Sequence, residues 1–283
     1  MAAVSSDDAP KAPPLPDTLR VNPGELLRQH GLRPKKEWGQ NFLGDARILG
    51  QLAALARLLP GDVVVELGAG LGHYTRALAA TGARVIAVER DRELAPILRK
   101  QLPGVEVVEA DAKSFDLKAI GGRVVVCGNL PFHLSSPILF HLLDQREAVR
   151  RAVLLLQREV AERIAAQPGG RQYGLLSVLV QLVAEVSIGL PVPRHAFTPP
   201  PQVDSSALVL EFLDAPRAPV ADEQRFRALV KAAFQQRRKT LRNSLKNFAG
   251  GREALARAEI DPQRRAETLS VREFAAIERA LGP

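Results

Sequence analysis

Between Val63 and Leu156 the chain alternates between two textures, and that alternation limits its possible folds more than any other feature. Short apolar runs rich in β-branched residues, Val63 to Leu67, Arg84 to Glu89, Val105 to Glu109, Arg123 to Cys127 and Ala152 to Leu156, are separated by stretches with helical spacing. Parallel strands joined by crossover helices satisfy this pattern, so an α/β, doubly wound sheet is predicted, with ligands at the strand carboxyl ends. Glu185 to Leu190 and Ser206 to Phe212 offer further strands at one edge, for about seven in all. Ahead of the sheet, Asn22-Pro23-Gly24-Glu25 is a helix start, with Asn as the cap and Pro at the first helical position. Ile48, Leu52, Leu55 and Leu59 predict a second helix that buries one face and stops at Pro60-Gly61.

The chain has 283 residues, enough for one large domain and a small one. Hydrophobic residues are 46% and charged residues 25%, which excludes a wholly disordered or fibrous chain. No apolar run is long enough to span a bilayer and no signal sequence is evident, so a soluble, cytoplasmic protein with no membrane partner is expected. Cys127 is the lone cysteine and the five histidines are scattered, so no metal site is expected. Residues 1–21, rich in proline and small polar residues, are expected to form a disordered tail; residues 22–213 form the main domain. Pro216 and Pro219 mark a linker between 214 and 221, and residues 222–283 form a small all-α domain. Within it, Ser270-Val271-Arg272-Glu273 is a capping box for a last helix carrying Phe274, Ile277 and Leu281 on one face.

Glu66-Leu67-Gly68-Ala69-Gly70-Leu71-Gly72 lies between the first strand of the sheet and a helix. Its glycines allow a sharp turn and close approach of backbone to a ligand. The dinucleotide fingerprint fails, because the position three after Gly70 is His73 and that three after Gly72 is Thr75. Glu89 ends the next strand, where a carboxylate can accept both ribose hydroxyls, so an adenosine cofactor without a pyrophosphate fits. The arrangement resembles the class I S-adenosylmethionine-dependent methyltransferases, of Rossmann-like fold. The resemblance implies S-adenosylmethionine as cofactor, with Gly68 and Gly70 at its methionine part, Glu89 at the ribose and Asp111 at the adenine amine.

A second motif, Gly128-Asn129-Leu130-Pro131-Phe132-His133, follows the strand Arg123 to Cys127. An adenine amine is a poor nucleophile because its lone pair is delocalised into the ring. Two acceptors on its N–H bonds, the Asn129 side-chain carbonyl and the Leu130 main-chain carbonyl, would favour a pyramidal nitrogen in the transition state. Pro131 fixes the backbone and Phe132 offers a stacking face, while His133 is expected to be a surface or packing residue. The tetrapeptide resembles the (Asn/Asp)-x-Pro-aromatic motif of amino methyltransferases.

Three more segments, Lys36 to Leu43 (KEWGQNFL), Gln157 to Arg163 (QREVAER) and Phe197 to Ser205 (FTPPPQVDS), extend the likeness. Together the motifs resemble the ribosomal RNA adenine N6,N6-dimethyltransferases over roughly Leu32 to Leu281. That resemblance implies dimethylation of two adjacent adenosines in the 3′-terminal hairpin loop of small-subunit RNA, within an assembling 30S subunit. It also implies that Asn41 and Leu43 line the cofactor pocket with Gly68, Glu89, Asp111 and Asn129, and that Phe197 forms the second face of an aromatic sandwich with Phe132. Phe132 and Ala69 stand where the family most often has tyrosine and proline. A large-subunit methyltransferase of the antibiotic-resistance type and a non-catalytic RNA-binding factor of the same fold remain as alternatives.

Fourteen basic and eight acidic residues fall within 222–283, a surplus of six out of the whole chain's eight. Such an excess fits a polyanion partner. Arg237, Arg238, Lys239, Arg242 and Lys246 are the candidate RNA contacts, with Arg238, Arg242 and Lys246 expected on one helical face opposite Phe234, Leu241 and Leu245. Nothing calls for an obligate dimer, so a monomer is expected.

Overall fold

The computed structural model describes residues 22–236 and 238–282. The expected tail and Arg237 lie outside the described residues. The chain divides into two compact units, one running to Arg158 and resuming over Ile188–Leu210, the other Glu159–Ser187 with Glu211 onward.

The strands are β1 (Phe42–Leu43), β2 (Val63–Leu67), β3 (Arg84–Val88), β4 (Glu106–Val108), β5 (Val124–Asn129), β6 (Val149–Gln157), β7 (Ala184–Val192), β8 (Phe197–Thr198) and β9 (Ser205–Phe212). Seven form one sheet in the order β4-β3-β2-β5-β6-β9-β7, while β1 and β8 pair separately. The expected later strands are thus β7 and β9, at the predicted edge. From β4 to β6 every pairing is parallel. Val64, Val65 and Leu67 are fully buried, as central strands covered on both faces require, and each such side chain contributes about 1.5–3 kcal/mol.

The helices of the first unit are α1 (Pro23–Gln29), α2 (Ala46–Leu55), α3 (His73–Ala79), α4 (Leu94–Gln101) and α5 (Ser135–Asp144). Asn22 caps α1 by accepting the Gly24 N–H at 2.8 Å, and Asp45 caps α2 through Ile48 at 2.9 Å. Helix α2 ends earlier than its apolar spacing predicts, and Leu59 is 66% exposed instead of buried. Arg57 turns to positive φ, the Arg151 Nε caps the Leu55 carbonyl at 2.7 Å, and the Leu59 N–H is held by Asp62 in a turn.

Strand order reverses between β2 and β5, the place where an open α/β sheet leaves a crevice at its carboxyl ends. Gly128 sits at this point. A Cβ there would lie 2.7 Å from the Leu67 carbonyl oxygen, so only glycine lets the two strand ends approach. Strand β5 also runs two residues beyond its expected end, because Asn129 stays in register with Leu155 of β6.

The second unit contains α6 (Arg158–Ala165) from its second residue, α7 (Leu175–Val183), α8 (Glu223–Phe234), α9 (Leu241–Ser244), α10 (Gly251–Arg257) and α11 (Val271–Ala280). Helix α7 is buried continuously from Ser177 to Val183, and it packs against α8 and α11. This is why residues 159–187 group with the C-terminal helices, whereas the sequence places them in the main domain. The rings of Tyr173 and Phe234 meet edge to face at 6.2 Å, and Phe234 lies 5.8 Å from Phe274. The capping box forms as expected, with Ser270 N–H donating to Glu273 at 2.7 Å and Glu273 N–H to Ser270 at 3.2 Å.

The single helix expected across Phe234 to Lys246 does not form. Helix α8 ends at Phe234 and α9 spans only four residues. The first N–H groups of α9 are taken by a neighbouring loop, Leu241 by the Arg264 carbonyl at 2.7 Å and Arg242 by Pro262 at 3.0 Å, which stops the helical ladder there. Arg238, Arg242 and Lys246 therefore do not share one continuous helical face, although all three and Lys239 are exposed.

Candidate active site

A cleft at the carboxyl ends of β2, β3 and β5 has an empty space of about 1070 Å³, its open mouth included. Asn41, Leu43, Gly68, Gly70, Glu89, Asp111, Asn129, Leu130, Pro131, Phe132 and Phe197 all line it. It brings together every expected catalytic and cofactor residue.

The glycine turn forms its floor. Gly68, Gly70 and Gly72 all have positive φ, and the Gly68 and Ala69 N–H groups donate to the Val88 carbonyl at 2.9 and 3.1 Å. No heavy atom lies within 4 Å of where a Gly68 Cβ would be, so a ligand can lie against the backbone there. Glu89, only 6% exposed, accepts the Gly70 N–H at 2.7 Å and the Asp91 N–H at 2.8 Å, one on each carboxylate oxygen. The Arg90 N–H also bears on this carboxylate, and of its about four acceptor sites what remains is turned to the cleft, where ribose hydroxyls can donate. Burial pushes the Glu89 carboxyl up, with these N–H groups pulling against it.

Glu66, at the end of β2, is 1% exposed and its Oε2 has no hydrogen-bond partner. Burial, followed by the nearby Glu89 charge, pushes its carboxyl up to about 8. A buried acceptor left open on the cleft wall suits a cationic or donor-bearing ligand. The lining includes the carboxyl groups of Glu66, Glu89 and Asp111 and a single guanidinium, Arg90. Asp111 is tied down by the Lys113 N–H at 2.9 Å and lies 3.7 Å from Arg90.

On the opposite side, the Asn129 Nδ2 donates to the Asn41 main-chain carbonyl at 2.9 Å. Only the amide NH₂ can donate to a carbonyl, so this bond assigns the amide orientation and leaves Oδ1 as the acceptor. The buried Leu130 follows, then Pro131 with φ −54° and ψ 131°, which turns the chain so that the half-buried Phe132 lines the cleft. Phe197 is 4% exposed and packs in the main core with Leu43, its partner in the β1–β8 ladder. His133, expected as a surface or packing residue, is exposed at the lip of the cleft.

Several residues were not singled out by sequence spacing. Asp91 binds Lys35 and Gln40; burial alone would raise its carboxyl, but the Lys35 ammonium, the Glu93 N–H and the Gln40 amide outweigh that and hold it low. Trp38 lies under the Arg90 guanidinium at 4.2 Å and beside the Lys35 ammonium at 4.7 Å. The signal was present, since Asp91 stands two residues after Glu89 and Trp38 and Gln40 lie within the segment Lys36 to Leu43, but no periodicity marks them.

The ribosomal RNA adenine dimethylase family model matches residues 31–281. A protein of Myxococcus xanthus called ribosomal RNA small subunit methyltransferase A is 54% identical over 271 residues, covering 93% of this chain and 96% of its own. One of the same name from Geobacter metallireducens is 45% identical, covering 90% and 98%. Among solved structures, a dimethyladenosine transferase from Plasmodium falciparum superposes with TM-score 0.67 at 25% identity, over 81% of this chain and 93% of its own. The 23S rRNA methyltransferase ErmE gives 0.69 at 26%, over 86% and 100%.

Proposed function

The chain belongs to the ribosomal RNA adenine dimethylase family, and from that premise we propose that it dimethylates the N6 amines of two adjacent adenosines in the 3′-terminal hairpin loop of small-subunit ribosomal RNA, within an assembling 30S subunit. S-adenosylmethionine is the cofactor of this family and supplies each methyl group from an electrophilic sulfonium. The chain's own residues do the rest. Gly68 and Gly70 present bare backbone to the cofactor, Glu89 offers its remaining acceptor capacity to the ribose, Asp111 accepts from the adenine amine, and Asn41 and Leu43 close the pocket. Glu66 supplies negative charge or a proton donor at the floor, according to its ionisation.

The observation that carries the proposal is the Asn129 amide. With Nδ2 held by Asn41, Oδ1 and the Leu130 carbonyl accept the two N–H bonds of an extruded adenine amine. Holding those hydrogens out of the ring plane draws the lone pair toward the incoming carbon. Nitrogen gains a methyl and loses a proton to water, so no strong general base is needed. After the first transfer one N–H remains, and one acceptor still orients it. Phe132 stacks on the base, with Phe197 toward its other face. Arg238, Lys239, Arg242 and Lys246, all exposed, contact RNA phosphates, and the protein works as a cytoplasmic monomer.

The small subunit is preferred because the relatives at 45% and 54% identity carry that substrate in their names, whereas the 23S enzyme is 26% identical. Transfer of radiolabelled methyl groups to immature small subunits, with large-subunit RNA as the competitor substrate, tests it. Label on small-subunit adenosines is expected; label confined to large-subunit RNA overturns the substrate, and no label on either overturns the enzyme.

A further inference from the structure

We propose that Gln40 and Asp91 are positioning residues for methyl transfer, acting through the Asn41 carbonyl to set the Asn129 amide; the inference rests on the acceptor role given to Asn129. An amide can present either face. Rotated by half a turn, Asn129 would point its NH₂ at the substrate NH₂, donor against donor, and lose its function. The described contact that opposes rotation is Asn129 Nδ2 to Asn41 O at 2.9 Å, so the orientation of the acceptor depends on where the Asn41 carbonyl is held.

Asn41 lies in a segment with little regular structure of its own, a short 3₁₀ turn (Lys36–Trp38) followed by the two residues of β1. The Gln40 side chain ties that segment at both ends of its amide. Its Oε1 accepts the Lys35 N–H at 2.8 Å, and its Nε2 donates to Asp91 Oδ2 at 2.9 Å. Asp91, 2% exposed, is a fixed post: Oδ1 accepts the Lys35 ammonium at 2.8 Å and the Glu93 N–H at 3.1 Å. Its own N–H is bound by Glu89, whose other oxygen holds Gly70. Hydrogen bonds thus link the carboxylate at the ribose position to Asp91 and Asp91 to Gln40, the peptide bond carries the tie on to Asn41, and a last hydrogen bond reaches the acceptor at the amine position. Removing Gln40 leaves both Glu89 bonds intact but loosens Asn41, so cofactor affinity should fall less than the rate of transfer.

Adjacency in space is not coupling, so the test measures coupling directly. Gln40→Ala, Gln40→Glu, Asp91→Asn and the Gln40→Glu/Asp91→Asn pair are compared with wild type for kcat on immature small subunits and for the Kd of S-adenosylmethionine by calorimetric titration. Gln40→Glu alone sets two carboxylates against each other. The pair restores a bond of reversed polarity, in which the amide introduced by Asp91→Asn donates to the carboxylate introduced by Gln40→Glu, which also faces Lys35. Each single variant is expected to lower kcat about tenfold or more with less than about a threefold change in Kd, and the pair to recover most of the loss. An undiminished kcat in Gln40→Ala, a Kd that weakens as much as kcat falls, or a pair no better than its singles overturns the inference. None of these touches the proposed function, which fails only if wild type transfers no methyl to small-subunit adenosine.

Discussion

At the scale of single residues, the chemistry concentrates in groups whose neighbours remove their freedom. Asn129 is the clearest: one bond to Asn41 engages its Nδ2 and leaves Oδ1 as the acceptor that the proposed function turns to the substrate. Asn129→Ala is expected to lower kcat by about 10²–10³-fold, the loss seen when a preorganised polar group at a reacting centre is deleted, with Tm nearly unchanged; turnover near that of wild type would refute the acceptor role. Glu66 makes a prediction of another kind. Its carboxyl titrates at an ordinary 4.5 in the unfolded chain and at about 8 when folded. Between those values the folded chain keeps a proton that the unfolded chain has released. The stability associated with this group is therefore complete below the unfolded value and is lost as pH rises through the folded one. Glu66→Gln should remove that dependence, so its stability relative to wild type, from urea unfolding, should improve by on the order of a few kcal/mol between about pH 5 and 8. Parallel pH profiles would show that Glu66 is not buried as a neutral acid.

At the scale of elements, the strand-helix alternation from Val63 to Leu156 was legible because fully buried parallel strands leave a continuous β-branched signature that few other structures share. The glycine turn and the Asn129 tetrapeptide were legible for a related reason, each sitting just after such a run. What sequence could not show were features set by distant partners. Helix α9 stays short because carbonyls of Pro262 and Arg264 take its first N–H groups, and α7 joins the C-terminal helices because α8 and α11 pack against it while its polar Ser177 and Gln181 bond carbonyls of Arg163, Ile164 and Ala166. Gly128 belongs to the same class. Nothing around it in sequence reveals that the Leu67 carbonyl would stand 2.7 Å from its Cβ. Gly128→Ala should push the ends of β5 and β2 apart, costing roughly 1–3 kcal/mol in denaturant unfolding, with a loss of kcat larger than that destabilisation explains. A variant as active as wild type would mean that the strand ends are not held at a required spacing.

At the scale of the whole molecule, the cleft lies in one unit while residues 222–283 carry six of the chain's eight net positive charges, a division suited to a substrate that is a long polyanion with one reactive atom. Replacing Arg238 and Arg242 together by alanine should weaken RNA binding and flatten its logarithmic salt dependence by about one unit per lost phosphate contact; an unchanged slope would leave these side chains as solvated surface. The central claim is that the Asn129 carbonyl, aided by that of Leu130, activates an adenine amine of small-subunit RNA for two successive methylations. Mass spectrometry of nucleosides from small subunits treated with wild type or with Asn129→Ala tests it most directly. N6,N6-dimethyladenosine from the wild type and none from the variant is the predicted result; equal yields of dimethyladenosine from both would contradict it.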